Sequence, residues 1–232
     1  MKKYPQMIIL SLIVVSSIFG AASGKQHDKT GQGYVILDDF SDVYDYLEQD
    51  NVRVKVRAGT YRIEKADSEP LISFTGNNSR YDLTDVKLVV EHRPCNSVIG
   101  LIGENIVLEG LHLETVKSTE KCRRGLGTLG INITGSNNTL LNVKVTIQDS
   151  YPYGYGSSFG IGRGASVKLS KGNGIRVGPA DNTVIRGCSV IMRAFGHGIF
   201  IRGGDKTLIE DTSVEGALRQ TNDMLLEKEG VA

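Results

Sequence analysis

The nine residues NTVIRGCSV, from Asn182 to Val190, recur along the chain with their apolar positions in the same order. NIVLEGLHL at Asn105–Leu113 matches them position for position in apolar character, and KTLIEDTSV at Lys206–Val214 is a further copy. NTLLNVKV at Asn138–Val145 fits if one residue is deleted, and YDLTDVKL at Tyr81–Leu88 is a weaker copy. A motif that returns along the chain in this way indicates a repeat architecture.

A second, alternating segment precedes each copy and ends in or near a glycine. These segments begin at Leu71, Val98, Gly130, Gly174 and Gly198. Each unit therefore reads as a strand, a turn, a second strand, a single Gly, Asn or Asp, a third short strand and a variable loop. The apolar anchors of the second strands recur about every 24 to 25 residues, with extra residues in two units: Leu83, Leu108, Leu141, Ile185 and Ile209.

Strands this short, with no helical pattern between them, exclude βαβ units. A sandwich of hairpins would not keep one register of apolar positions, whereas a coil of short strands, each rung lying on the previous one, does. Equivalent residues then form columns along the axis. We expect an inward column of Val86, Leu111, Val143, Cys188 and Thr212. We also expect a column of bends that favour positive φ at Asp85, Gly110, Asn142, Gly187 and Asp211.

This pattern resembles the right-handed parallel β-helix of the pectate-lyase-like superfamily, and the resemblance covers residues 52–216. It implies an all-β solenoid of three-strand rungs, preceded by an N-terminal cap in residues 25–51. The segment DDFSDVYDYLEQD at Asp38–Asp50 fits such a cap, because it reads as an amphipathic helix with Asp39 or Ser41 as N-cap. Its apolar face would consist of Phe40, Val43, Tyr44 and Leu47.

Both ends of the chain carry segments outside the repeat. Residues 1–24 resemble a secretory signal peptide, with two lysines, an apolar run and small residues before the cleavage point; the alternative is an uncleaved anchor. Export predicts a secreted or periplasmic protein with no stable membrane insertion after cleavage. Residues 217–232 form a C-terminal tail that either folds over the last rung as a short helix or, the interpretation we favour, begins a truncated region.

Charge and cysteine content narrow the possible partners. The formal net charge of +1 creates no overall field that attracts nucleic acid, so we expect no nucleic-acid partner. We expect a monomer. Cys95 and Cys122 fall in loops of consecutive rungs, where they could meet as a disulfide in an oxidising compartment. Cys188 faces inward and is expected to be a buried free thiol.

The resemblance implies a substrate groove along the outer face of the first strands. Strand alternation predicts that Asn132, Arg176 and Phe200 point outward in one column and that Arg202 lies in the next. The long segment over residues 149–173 supplies aromatic rings that suit sugar faces and basic side chains that suit uronate carboxylates. Its candidates for acidic-polysaccharide binding are Tyr151, Tyr153, Tyr155, Arg163 and Lys171, with Lys168 as a candidate for catalysis.

GHGI at Gly196–Ile199 resembles the Gly-His-Gly element of polygalacturonase-type hydrolases, which also need paired acids. Asn173 stands where an acid would be wanted, so we favour a lyase that cleaves uronate polymers by β-elimination. In that interpretation His197 is the base, and Arg176 or Arg202 neutralises the substrate carboxylate. Lys168 or Lys171 could replace either.

Three alternatives stay open: a non-catalytic glycan-binding β-helix, a hydrolase with acids in missing rungs, and a purely structural His197. Any cofactor is unknown. Calcium is possible, but no Asp/Glu cluster on the first strands supports it.

Overall fold

The structure, a computed structural model, describes residues 33–63, 71–90, 97–116, 128–148, 172–194 and 196–216. Nearly all of the regular structure in these residues consists of short parallel strands, arranged in three sheets that run along one axis. Apart from the first two, successive strands of the chain belong to different sheets, so the chain winds around a shared interior. The prediction of an all-β parallel β-helix is therefore confirmed.

The first sheet contains the first strand of each rung, on whose outer face a groove was predicted. Its strands, in order along the axis, are β4 (Ile72–Phe74), β7 (Ser97–Leu101), β10 (Thr128–Ile133), β13 (Gly172–Val177) and β16 (Ile199–Ile201). The second sheet consists of β1 (Val35–Leu37), β2 (Arg53–Val56), β5 (Arg80–Asp82), β8 (Val107–Glu109), β11 (Thr139–Leu141), β14 (Val184–Arg186) and β17 (Leu208–Glu210). The third sheet consists of β3 (Gly59–Ile63), β6 (Val86–Val90), β9 (His112–Thr115), β12 (Lys144–Ile147), β15 (Ser189–Met192) and β18 (Ser213–Gly216).

The strand register corrects two of the predicted repeat copies. Leu108 pairs with Tyr81 and Leu140, both fully buried, rather than with Leu83 and Leu141. The copy in β11 and β12 therefore begins at residue 137 and has all nine positions of the motif, with no deletion. The copy in β5 and β6 contains two additional residues, 83 and 84. Adjacent Leu140 and Leu141 left the alignment of that copy ambiguous by one residue, and in a strand a one-residue slip exchanges the inner and outer faces. Tyr81 and Leu83 are two residues apart and both are buried, so the apolar pattern fits either of them.

The two predicted columns are confirmed. The inward side chains of Val86, Leu111, Val143 and Cys188 are buried, and Cys188 is a free thiol. Thr212, at the last described rung, is only partly buried. Positive φ angles of 60°, 75°, 52°, 65° and 50° occur at Asp85, Gly110, Asn142, Gly187 and Asp211. Residues without a bulky side chain tolerate this left-handed backbone, which turns the chain from the second sheet into the third.

The cap is a 3₁₀-helix over Phe40–Tyr46, with Asp39 as its N-cap. The Asp39 side chain accepts a hydrogen bond from the Ser41 backbone N–H at 2.8 Å, so Ser41 is not the cap. Three residues per turn place Phe40, Val43 and Tyr46 on one side of the helix. Tyr44, which an α-helical spacing placed on the buried face, is instead 44% exposed.

The cap is tied to the first rung by both packing and hydrogen bonds. The Leu47 carbonyl accepts the backbone N–H groups of Thr75 and Gly76, each at 2.9 Å. The buried Tyr81 hydroxyl donates to the Tyr46 carbonyl at 2.9 Å. In the part of the chain described, no helix has the length and apolar character that a membrane crossing requires.

Candidate functional site

The outer face of the first sheet brings three predicted site residues side by side. Arg176 on β13 pairs in register with Asn132 on β10 and with Phe200 on β16. Their neighbours in sequence, such as Ile175 and Val177, are fully buried, so strand alternation directs these three side chains outward. The Arg176 Nη1 atom donates a hydrogen bond to Asn132 Oδ1 at 3.3 Å. The predicted column is therefore a contiguous row of an amide, a guanidinium and an aromatic ring.

His197 joins this row at its Phe200 end. Its exposed imidazole stacks on the Phe200 ring, with 5.0 Å between the ring centroids and 23° between the ring planes. The His197 backbone N–H donates to Asn173 Oδ1 at 2.9 Å, and the ring Nδ1 lies 3.2 Å from the same oxygen. His197 lies one rung from Arg176 across the sheet, where adjacent strands are about 4.8 Å apart, and three residues, about 10 Å, before it along the strand direction.

The two glycines that flank His197 are required by packing. A Cβ atom on Gly196 would lie 1.7 Å from the Gly172 carbonyl oxygen, and one on Gly198 would lie 2.4 Å from Val214 Cγ1. The clash at Gly196 is with backbone and excludes a larger residue, whereas a larger residue at Gly198 would require the Val214 side chain to move. The histidine between them carries no such constraint, since its side chain points to the exposed outer face.

Arg202 lies just beyond β16, in the next outward column. Its backbone N–H donates to the Val177 carbonyl at 2.8 Å, which continues the sheet ladder past the end of the strand. Its side chain is exposed, like those of Thr134 and Ile102 in the same column. Arg202 is thus on the predicted face but is offset by two residues from the row that contains Arg176.

The remaining sequence-predicted residues lie outside the described part of the chain and stay predictions. They are Tyr151, Tyr153, Tyr155, Arg163, Lys168, Lys171, Cys95 and Cys122. Within the described ranges, no group of three or more His, Cys, Asp or Glu side chains is arranged to hold a metal ion.

The contact that Asn173 makes with His197 was not predicted from the sequence, where Asn173 was noted only because it stands at a position that an acid would occupy in a hydrolase. The residue lies at the start of the strand that precedes His197 by one rung, and its side-chain oxygen receives both polar contacts described above. The signal available in the sequence was the spacing between the two residues, which matches one short repeat.

A second polar face lies on the third sheet. Lys87, His112 and Lys144 are aligned in register on neighbouring strands, and the Lys87 Nζ atom pairs with the Glu114 carboxylate at 2.7 Å. Burial lowers the pKa of His112, and the positive charges of Lys144 and Lys87 lower it further. This face lies on a different sheet from the row at His197.

No protein-family model matches this sequence, and no curated protein sequence is significantly similar to it. A parallel β-helix does not itself specify an activity. The function must therefore be inferred from the chemistry of the row on the first sheet.

Proposed function

We propose that this protein is an exported lyase that cleaves an acidic, uronate-containing polysaccharide by β-elimination on the outer face of the first sheet. The observation that carries the proposal is the row of Asn132, Arg176 and Phe200 in register, with the His197 ring stacked on Phe200 at its edge. An exposed imidazole and a guanidinium one rung apart supply the two functions that this reaction needs.

β-Elimination begins at the carbon that carries the uronate carboxylate. His197 takes the proton from that carbon, the released electron pair forms a carbon–carbon double bond, and the bond to the glycosidic oxygen breaks. The leaving oxygen then gains a proton from water. The proton is acidic enough to be removed only if the negative charge that develops on the carboxylate is stabilised.

Arg176 is the group suited to that stabilisation. A guanidinium binds a carboxylate with two parallel hydrogen bonds, and the hydrogen bond from Arg176 to Asn132 at 3.3 Å restricts the orientation of its side chain. Arg202 is exposed in the neighbouring column, which supports a role in binding a second carboxylate of the same polymer. The flanking position of Phe200 gives a sugar ring an apolar surface beside the base.

A non-catalytic glycan-binding protein is the second candidate function. Asn132, Arg176 and Phe200 combine an amide, a cation and an aromatic ring, which is sufficient to bind a uronate without any base. A hydrolase is less favoured, because the outward positions in register with Arg176 on the first sheet carry no carboxylate: Ser73, Gly100, Asn132 and Phe200.

The product of the reaction distinguishes these functions. Elimination leaves an unsaturated uronate that absorbs in the near ultraviolet, so purified protein should raise the absorbance of at least one member of a panel of uronate polysaccharides. His197→Ala should abolish the rise, and His112→Ala, which alters an imidazole on the third sheet, should leave it unchanged. Retention on a polysaccharide affinity gel without any rise would support the binding protein and overturn the lyase.

A further inference from the structure

We infer that Asn173 is a positioning residue that holds neutral His197 in the tautomer protonated at Nδ1 and leaves Nε2 free to accept a proton. The inference deepens the proposed function and rests on it for its catalytic meaning. Which ring nitrogen of His197 carries the proton does not depend on whether the protein has the proposed activity.

The identity of the Asn173 atom that faces His197 follows from the backbone. The His197 backbone N–H lies 2.9 Å from that atom and can only donate a hydrogen bond, so the atom must be the amide oxygen. The ring Nδ1 lies 3.2 Å from the same oxygen. Since an oxygen acceptor makes a hydrogen bond only with a protonated nitrogen, Nδ1 carries the proton in the neutral ring.

The surrounding scaffold holds both partners in place. The Gly174 backbone N–H donates to the His197 carbonyl at 2.9 Å, and this hydrogen bond fixes the register between the start of β13 and the histidine. The stacked Phe200 ring restricts rotation of the imidazole. Close approach of Gly196 to Gly172 brings the two rungs together at this point. Nε2, on the opposite edge of the ring from Nδ1, therefore faces away from Asn173 on an exposed side chain.

An amide at position 173 suits an anionic substrate better than a carboxylate does. A carboxylate would orient the ring in the same way but would add a negative charge beside the polymer, and like charges repel. Asn173 orients the base without that charge. The residue that argues against a hydrolase is, in this interpretation, the one that prepares His197 for elimination.

The tautomer can be measured directly. Protein labelled with ¹⁵N-histidine would be examined by two-bond ¹H–¹⁵N correlation at a pH where the imidazole is neutral, with the His197 signals identified by their loss in His197→Gln. We expect the Nδ1-protonated pattern in the wild type and in Asn173→Asp, which keeps an accepting oxygen. Asn173→Leu should shift His197 toward the Nε2-protonated form. Gln148→Leu, which removes an amide bonded to Glu114 at 3.2 Å on the third sheet, is the matched control and should change nothing.

Kinetic measurements test whether the tautomer set by Asn173 matters for catalysis. We expect Asn173→Leu to lower kcat about ten-fold or more with a smaller change in KM, because a wrong tautomer removes the base without removing substrate contacts. Asn173→Asp should recover kcat but raise KM. A wild-type Nε2–H tautomer, or an unchanged kcat in a folded Asn173→Leu, would overturn the inference. An Nδ1–H tautomer in a protein that is inactive on every uronate polymer would instead support the tautomer and overturn the proposed lyase.

Discussion

Among single residues, Asn138 and Thr183 occupy the same interior column but differ in whether their polar atoms are hydrogen-bonded. Asn138 is fully buried, and its side chain donates to the Gly103 and Gly135 carbonyls at 2.9 and 2.8 Å and accepts the Ile106 backbone N–H at 2.7 Å. Thr183 takes the equivalent place one rung later, and its buried hydroxyl has no hydrogen-bond partner among the residues described.

We therefore expect the two sites to respond differently to loss of polarity. Asn138→Leu should lower the free energy of unfolding by about 3 kcal/mol or more, since it leaves three buried backbone groups unpaired. Thr183→Val keeps the shape and removes an unsatisfied hydroxyl, so it should change the stability by less than about 0.5 kcal/mol or increase it. Urea unfolding of both variants measures this. A large loss in Thr183→Val would show that its hydroxyl is hydrogen-bonded in solution.

At the scale of one element, the outer face of the third sheet makes stability depend on pH. Burial and the cations Lys144 and Lys87 lower the pKa of His112 below its ordinary value of 6.5. The unfolded chain therefore binds a proton at this site more readily than the folded protein does. Stability must fall as the pH drops below the ordinary value, because protonation then favours the unfolded state.

His112→Gln should remove this contribution. Between about pH 7 and pH 5 the free energy of unfolding should fall less in the variant than in the wild type. The difference between the two falls should be about 0.5 kcal/mol or less, because a half-exposed imidazole is screened by solvent. Free energies of unfolding at the two pH values give the difference. Lys144→Met should reduce the pH dependence in the same direction, because it removes one of the opposing charges. Identical pH dependence in the wild type and His112→Gln would contradict the assignment.

Across the whole molecule, the two ends of the described solenoid differ in how the interior is covered. At the first rung, Phe40, Val43 and Leu47 of the cap region are buried over the core. In a solenoid each rung covers the one before it. At the last described rung, three side chains in register with fully buried residues are exposed. These are Ile201 at 46%, Ile209 at 39% and Val214 at 53%, in register with Val177, Ile185 and Val190.

The same substitution should therefore lower the free energy of unfolding by different amounts at two positions of one column. We expect Val190→Ala to lower the free energy of unfolding by about 2 kcal/mol and Val214→Ala by well under 1 kcal/mol, because burial of a valine contributes about 1.5–3 kcal/mol and Val214 is half-exposed. Chemical denaturation of the two variants is the measurement. Equal losses would show that the interior at Val214 is covered in solution.

The candidate site was partly predictable from the sequence. The outward column containing Asn132, Arg176 and Phe200 follows from strand periodicity alone, because a repeat places equivalent residues on one face. The contact of His197 with Asn173 did not follow, since it depends on the rotamers of two side chains on different rungs. Periodicity states which residues are neighbours but not which of their atoms meet.

What the sequence by itself determined is the architecture: repeated apolar positions, single small or amide residues at the bends, and no helical pattern between strands allow only a coil of stacked rungs. The tertiary structure alone decided the register at Tyr81 and Leu140, because Leu83 and Leu141 fit the apolar pattern equally well until the neighbouring strand is in place. It also decided the surroundings of His197, because hydrogen bonds and ring stacking require distances of a few ångströms that no sequence spacing specifies.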